Sequence, residues 1–556
     1  MIAALAVVAP LAVAGAVLAV DRPRGTPPVV PGGTRRPMSA ESDRPPRSRA
    51  GETRSTRGRS PKGWSTRGEP APGPARRTGR RASSDTAAWA HGRQLAALRH
   101  PPSGDGRLVV GRELRGRWTT RRAAASLLSA EPAQSLAVIG PTQSGKTTAL
   151  AVPAILGWDG PVLAASVKSD LLRDTVAWRR AIGQVWCFDP AGATGFPADR
   201  WSPLVGAVTW PGARRLAADL TEVARREGTS ADGEFWYATA SKLLGPLLLA
   251  AALGGLSMGD VVRWVDTQET EEVFKLLEGH GAEDALQALR ASWLRDERQR
   301  SSVYTTAETV LEPFVDLTGE GPAGPGDIDP GALLDGPHTL YLCAPAHDQR
   351  RLQGLFVALV KGVLEEAFTR SVRQAAPLRP PLLVVLDEAA NIAPLAELDS
   401  LAATCAGHGV QLVTVWQDLA QVTARYGVRA ATVVNNHRAK LFLSGISDPG
   451  TLDHASRLVG DEELLVPSVT HDAAGGRSTT MATARRPLLP PDALRRLPQG
   501  TGVLVYGSLP PVRVALQPWW EDRHLAGRVA GHVGRDGGAR AAGERASQLG
   551  ARWARR

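Results

Sequence analysis

The octapeptide Gly140-Pro141-Thr142-Gln143-Ser144-Gly145-Lys146-Thr147 constrains this chain more than any other feature. It follows the apolar run SLAVIG (Ser135 to Gly140) and precedes the helix-forming stretch TALAVPAIL. The pattern is GxxxxGK[ST] in the order strand, loop, helix, the context that separates a phosphate-binding loop from a chance glycine turn. The glycines let the backbone wrap tightly, so that the N–H groups from Thr142 to Lys146 face phosphate oxygens where the helix dipole also favours negative charge. Lys146 is expected to reach the β- and γ-phosphates of ATP and the Thr147 hydroxyl to ligate Mg2+, with the binding loop running from Gly140 through Thr148.

A second run, Pro381-Leu-Leu-Val-Val-Leu386-Asp387-Glu388, is an apolar strand that ends in two carboxylates. At the tip of a strand beside the loop, Asp387 is expected to hold Mg2+ and Glu388 to orient or deprotonate the attacking water. Acidic residues at strand ends also cap helices, but the pairing of this run with the loop points to an NTPase. Gln417, closing the run QLVTVWQ, is placed to sense the γ-phosphate. Arg438, just before AKLFLSG, is a candidate finger for a neighbouring subunit's site and equally an ordinary surface arginine.

The fold class follows from the order of the runs. PVLAAS, QVWCFD, HTLYLCAP, PLLVVLD, VQLVTVW, AKLFLSG and GVLVYG read as buried strands, several of them separated by helices. That alternation predicts an α/β architecture with a mostly parallel central sheet. Between residues 205 and 327 the runs ARRLAADLTEVARR, FWYATASKLLGPLLLAAAL and EEVFKLLEGHGAEDALQALRASWL have helical spacing without strand alternation, which predicts an inserted all-helical domain. The expected organisation is a nucleotide-binding domain in two parts, 89–204 and 328–520, around that insertion.

Charge decides little about the folded part. Of the net charge of +11, residues 21–85 carry +10 and residues 521–556 carry +4, which leaves −3 for 86–520. A basic pI therefore reports on the two ends and does not by itself argue for a nucleic-acid surface on the core. Residues 1–20, MIAALAVVAPLAVAGAVLAV, hold no charge and match the ~20 residues of a membrane-crossing helix. Arginines follow this stretch instead of preceding it, which favours an anchor over a cleaved secretory signal and keeps the following chain in the cytoplasm. Residues 21–88, rich in Arg and Pro, are expected to be a disordered linker, either tethered to anionic lipid or simply solvated. Residues 521–556 are expected to be a disordered basic tail. Cys187, Cys343 and Cys405 are far apart and form no CxxC, so neither a zinc site nor a disulfide framework is indicated.

The loop, the two-carboxylate strand, Gln417, the insertion with GEFWYATASKLLGPLLLAAA and the closing RRPLLPPDALRRLPQGTGVLVYG together resemble the TraG/TraD-type coupling proteins of conjugative and type IV secretion systems. The resemblance covers roughly Ser135 to Trp520. It implies a RecA-like nucleotide-binding domain, an all-helical domain, a part in the inner membrane and homohexamers with ATP at subunit interfaces. It also implies recruitment of DNA or a relaxase–DNA complex, and contact with other secretion components. Two further readings are a secretion adaptor that handles protein cargo only and an FtsK-like DNA pump.

Overall fold

The computed structural model describes residues 86–101, 107–115, 126–225, 231–317, 328–345, 347–471 and 477–530. The expected anchor 1–20, most of the expected linker and the end of the tail lie outside these residues.

Thirteen strands are described: β1 (Val109–Glu113), β2 (Leu127–Ser129), β3 (Leu136–Ile139), β4 (Val162–Ser166), β5 (Val185–Phe188), β6 (Thr339–Cys343), β7 (Leu382–Leu386), β8 (Val410–Trp416), β9 (Ala439–Leu443), β10 (Asp461–His471), β11 (Arg477–Pro487), β12 (Thr501–Tyr506) and β13 (Val512–Ala515). Eleven of them form one sheet in the order β2-β1-β13-β12-β9-β3-β8-β7-β4-β6-β5. From β9 to β5 all neighbours are parallel, and from β9 outward to β2 all are antiparallel. Every residue of β3, β4, β6, β7, β8 and β9 is buried. Both faces are covered, which is why these strands are apolar runs and not alternating ones.

The two faces have separate cores. Leu136, Val138, Val162, Leu383, Val385 and Val413 pack under the helices Val152–Gly157 and Asp170–Ile182. Leu163, Ala165, Leu340, Val384, Leu386 and Leu412 pack on the other side, under the long helix Gln349–Gln374. Arg179 fastens the first layer. Its buried guanidinium donates to Thr339 Oγ1 (2.6 Å) and to the carbonyls of Trp158 (2.6 Å), Gly160 (2.8 Å), Pro337 (2.9 Å) and His338 (3.2 Å).

The chain leaves the sheet after β5 and returns at β6, which lies directly beside it. Between these strands the described residues form helices and no strand: Trp210–Ala224, Ala231–Leu253, Met258–Asp266, Glu271–Gly279, Glu283–Trp293 and Glu297–Leu311, then a 3-10 turn to Leu317. Thr209, Ser257 and Asp296 accept N–H bonds at three of their starts, which fixes where these helices begin. Ala231–Leu253 is apolar around much of its girth because the other five helices pack about it. Its segment Gly233–Leu253 is long and apolar enough to cross a membrane, and an 18-residue stretch of it is 61% buried inside this bundle. Lys361 of the long helix ties the bundle to the sheet through Asp219 (2.6 Å) and Glu397 (3.0 Å).

Two elements depart from the sequence reading. β10 and β11 pair over eleven residues each, from Asp461↔Pro487 to His471↔Arg477, as a ribbon separate from the main sheet. The expected tail begins too early, because Arg523–Ala530 is a helix packed on Asp170–Ile182. Leu525 and Val529 turn inward, and the Arg528 guanidinium lies 4.5 Å from the Trp178 ring.

Candidate nucleotide site

The site lies at the carboxyl ends of β3, β7, β4 and β8. β3 delivers the chain into the loop at Gly140, whose N–H donates to the Trp416 carbonyl on β8 (3.1 Å). A Cβ on Gly140 would come within 2.9 Å of both Leu443 Cβ and Ser144 Oγ, so only glycine lets the loop start this close to β9. Gly145 (φ +94°) and Gln143 (φ +68°) make the left-handed turns that wrap the loop. Ser144 Oγ donates to the Pro141 carbonyl (2.8 Å), and Gln499 Nε2 holds the Gln143 carbonyl from outside (3.3 Å). Thr148 follows Thr147 in the wide turn Thr147–Ala151 that opens the helix.

Lys146 is nearly buried and donates from Nζ to the carbonyls of Gly140 and Pro141, the latter at 2.8 Å. Burial holds its ammonium below the usual lysine range, while the nearby carboxylates of Asp387 and Glu388 pull the other way. Thr147 Oγ1 donates to Asp387 Oδ2 at 3.0 Å, and Ser166 Oγ approaches the same oxygen at 3.5 Å. Burial pushes the Asp387 carboxyl above the ordinary range; the Thr147 bond opposes the shift and the Glu388 charge adds to it.

Glu388 has φ +65° and ψ +54°, a left-handed conformation that costs a residue with a Cβ about 1–2 kcal/mol. Its Oε2 accepts from Asn391 Nδ2 at 3.3 Å. This left-handed residue turns the chain sharply out of β7, so that the carboxylates of the consecutive residues Asp387 and Glu388 both act on the Lys146 charge instead of pointing to opposite faces of a strand. Gln417 follows Trp416 at the end of β8, immediately beside the start of the loop, and its N–H donates to Gln421 Oε1 (3.0 Å). Asp418 caps the helix Leu419–Tyr426.

The structure therefore gathers Gly140 through Thr148, Asp387, Glu388 and Gln417 at one edge of the sheet. It does not bring Arg438 there. Arg438 precedes β9, which runs parallel to β3, so it sits at the opposite edge, at the level of Ser135. Its guanidinium pairs with Glu131 (3.2 Å) and lies 5.5 Å from the Tyr506 ring.

Three more residues belong to the site. Ser166 is the second hydroxyl on Asp387, and Lys168, exposed just beyond β4, acts electrostatically on both Lys146 and Asp387. Asp418 acts on Lys146 in the same way. A polar residue after an apolar strand was the available signal; which strand lies next to β7 was not.

Two hard oxygen donors, the Thr147 hydroxyl and the Asp387 carboxylate, stand 3.0 Å apart at the end of the loop. This donor set suits a small divalent cation such as Mg2+ with phosphate oxygens next to it.

Comparison with known proteins agrees with this geometry. The family described as "Type IV secretory system Conjugative DNA transfer" matches residues 105–540. A conjugal transfer protein TraG of Escherichia coli is 24% identical over 440 residues, 73% of this chain and 67% of its own length. Protein VirD4 of Agrobacterium fabrum is 23% identical over 415 residues, 72% of this chain and 60% of its own. The chain thus spans about two thirds or less of these relatives. Among solved structures, the unbound conjugative coupling protein TrwB superposes with a TM-score of 0.54 at 21% identity, covering 69% of this chain and 85% of that one. TrwB in complex with ADP and Mg2+ gives 0.53 at 21% identity with the same coverage. The RecA-like fold of these structures is the fold of this chain.

Proposed function

The chain belongs to the type IV secretory system conjugative DNA transfer family, and from that premise we propose that it is an ATP-hydrolysing coupling protein that recruits DNA, or a relaxase–DNA complex, and drives it toward a secretion channel. The observation that carries the catalytic half of this reading is the Thr147–Asp387 contact with Glu388 turned out of the same strand. TrwB, a structural neighbour, is described in complexes with a non-hydrolysable ATP analogue and with ADP and Mg2+. The residues gathered here fit the same ligands.

Each residue then has a defined task. The N–H groups of Thr142 to Lys146 bind the phosphates, and the Lys146 ammonium moves from its carbonyl partners onto the terminal phosphate oxygens. Thr147 and Asp387 hold Mg2+, which when bound neutralises charge on the β- and γ-phosphates. Glu388 accepts the proton of the attacking water, and the Gln417 amide orients that water. Lys168 adds a second positive charge near the Asp387 carboxylate.

In this reading the protein works as a homohexamer on the cytoplasmic side of the inner membrane, anchored through residues 1–20 and in contact with other type IV secretion components. The two-part nucleotide-binding domain, 89–204 and 328–520, turns over ATP, and the helical segment 205–327 faces cargo. The test is hydrolysis by the full chain with and without single- and double-stranded DNA. Stimulation by DNA that disappears in Lys146→Ala supports the reading. Hydrolysis indifferent to DNA across a range of salt replaces it with a protein-only adaptor, a reading that the −3 charge of residues 86–520 leaves open.

A further inference from the structure

The helical region carries a cleft of about 980 Å³ that the nucleotide chemistry does not use. Its walls come from the helices Trp210–Ala224, Ala231–Leu253 and Glu283–Trp293, with Arg295 just beyond the last. Residues 203–317 hold 18 Asp and Glu against 11 Lys and Arg, so this segment is acidic. The cleft reverses that balance: five of the cations and only two of the acids, Glu222 and Glu234, line it.

Pairing sharpens the contrast. Arg225 reaches Glu234 (3.9 Å), Arg215 reaches Glu365 (3.7 Å), and Glu222 is shared with Lys361 (3.8 Å). Arg214, Lys242 and Arg295 have no carboxylate within ion-pair distance among the described residues, and the buried Arg295 Nε has no hydrogen-bond partner among them. A guanidinium nitrogen shielded from water without an acceptor is unfavourable, and an anionic ligand in the cleft relieves it. Two aromatic side chains, Trp210 and Tyr237, share the same walls.

We propose that this cleft binds the phosphodiester backbone of a single-stranded nucleic acid, with Arg214, Lys242 and Arg295 on successive phosphates and Trp210 and Tyr237 beside the bases. The assignment rests on the DNA-transfer reading above for its choice of strand over peptide. Cations on two helices and just past the end of a third, beside aromatic rings, form the groove-and-platform arrangement that holds single strands without reading their sequence. An acidic segment around the cleft repels the strand elsewhere and confines it to this track.

The test is fluorescence anisotropy of a labelled oligonucleotide with the full chain, titrated over salt. Two variants serve: Arg214→Gln/Lys242→Gln/Arg295→Gln, and Arg214→Gln/Lys242→Gln, in which both changed residues are solvent-exposed so that folding is not at stake. The slope of log K against log salt is expected to flatten by about 2 in the triple variant and about 1.4 in the double, at about 0.7 per single-strand phosphate contact. Affinity falls about tenfold or more in the triple variant while ATP hydrolysis without DNA stays unchanged. The basic stretch 21–85 is common to all three proteins, so the differences isolate the cleft. Wild-type slope and affinity in both variants overturn the cleft assignment and leave the DNA-transfer reading standing. Wild-type protein that binds no oligonucleotide overturns both. Displacement of the strand from the wild-type cleft by polyglutamate at equal charge concentration overturns the nucleic-acid assignment in favour of an acidic peptide.

Discussion

Thr147 Oγ1 and Asp387 Oδ2 lie 3.0 Å apart although 240 residues separate them, and this contact joins the phosphate loop to the carboxylate strand. It forms because β7 and β3 each pair with β8 and end at the same edge of the sheet. Thr147→Ala removes one of the two oxygens proposed to hold Mg2+ and is expected to lower kcat about 100-fold or more, the scale of losing one positioned electrostatic group. Thr147→Ser keeps the hydroxyl and is expected to retain most activity. Equal loss in both variants would show that the methyl group matters and the oxygen does not.

Glu388 holds a left-handed conformation that glycine adopts without penalty. Glu388→Gly is therefore expected to raise the unfolding free energy by about 0.5–1 kcal/mol, the relief of strain less the extra entropy of glycine in the unfolded chain. The same change is expected to abolish hydrolysis. Denaturant unfolding measured beside activity checks both, and a less stable variant would show that Glu388 is not strained.

His437 is fully buried. One ring nitrogen lies 3.0 Å from Thr414 Oγ1 and the other 2.7 Å from the Val433 carbonyl, and burial lowers its pKa to about 4. An unfolded histidine titrates near 6.5, so between pH 6.5 and about 4 the unfolded state binds the extra proton. Stability is present above pH 6.5 and lost as pH falls toward 4. From pH 7.5 to 5.5 this group alone costs roughly 1.4 kcal/mol. Urea unfolding at the two pH values is expected to show a loss that shrinks by about that much in His437→Asn; an unchanged loss assigns the effect to other groups.

Arg179 reaches four carbonyls and one hydroxyl with no exposed surface. Lysine offers a point charge and cannot span that fork. Arg179→Lys is expected to cost about 3 kcal/mol or more, because buried acceptors lose their donors. A loss under ~1 kcal/mol in denaturant unfolding would mean that water replaces the guanidinium.

The parallel half of the sheet was legible because its strands are buried on both faces and read as uninterrupted apolar runs, from LAVI in β3 to AKLFL in β9. The antiparallel additions were not all legible. Leu127–Ser129 and Val512–Ala515 are too short to show a period, and the β10–β11 ribbon mixes polar and apolar residues because its pairing is with itself and not with a core. Helix Arg523–Ala530 escaped notice since Leu525 and Val529 are its few apolar anchors in a run of arginine, glycine and alanine. In the site, the loop and Asp387–Glu388 carry their own spacing, whereas Lys168 and Asp418 acquire a role only from strand order.

The most direct test separates nucleotide binding from turnover in one protein. With Mg2+ and ATP, Glu388→Gln is expected to bind within about threefold of wild type and to lose hydrolysis by about 100-fold or more, while Lys146→Ala loses both. Glu388→Gln that hydrolyses ATP at the wild-type rate would contradict the assignment of this centre as the catalytic engine.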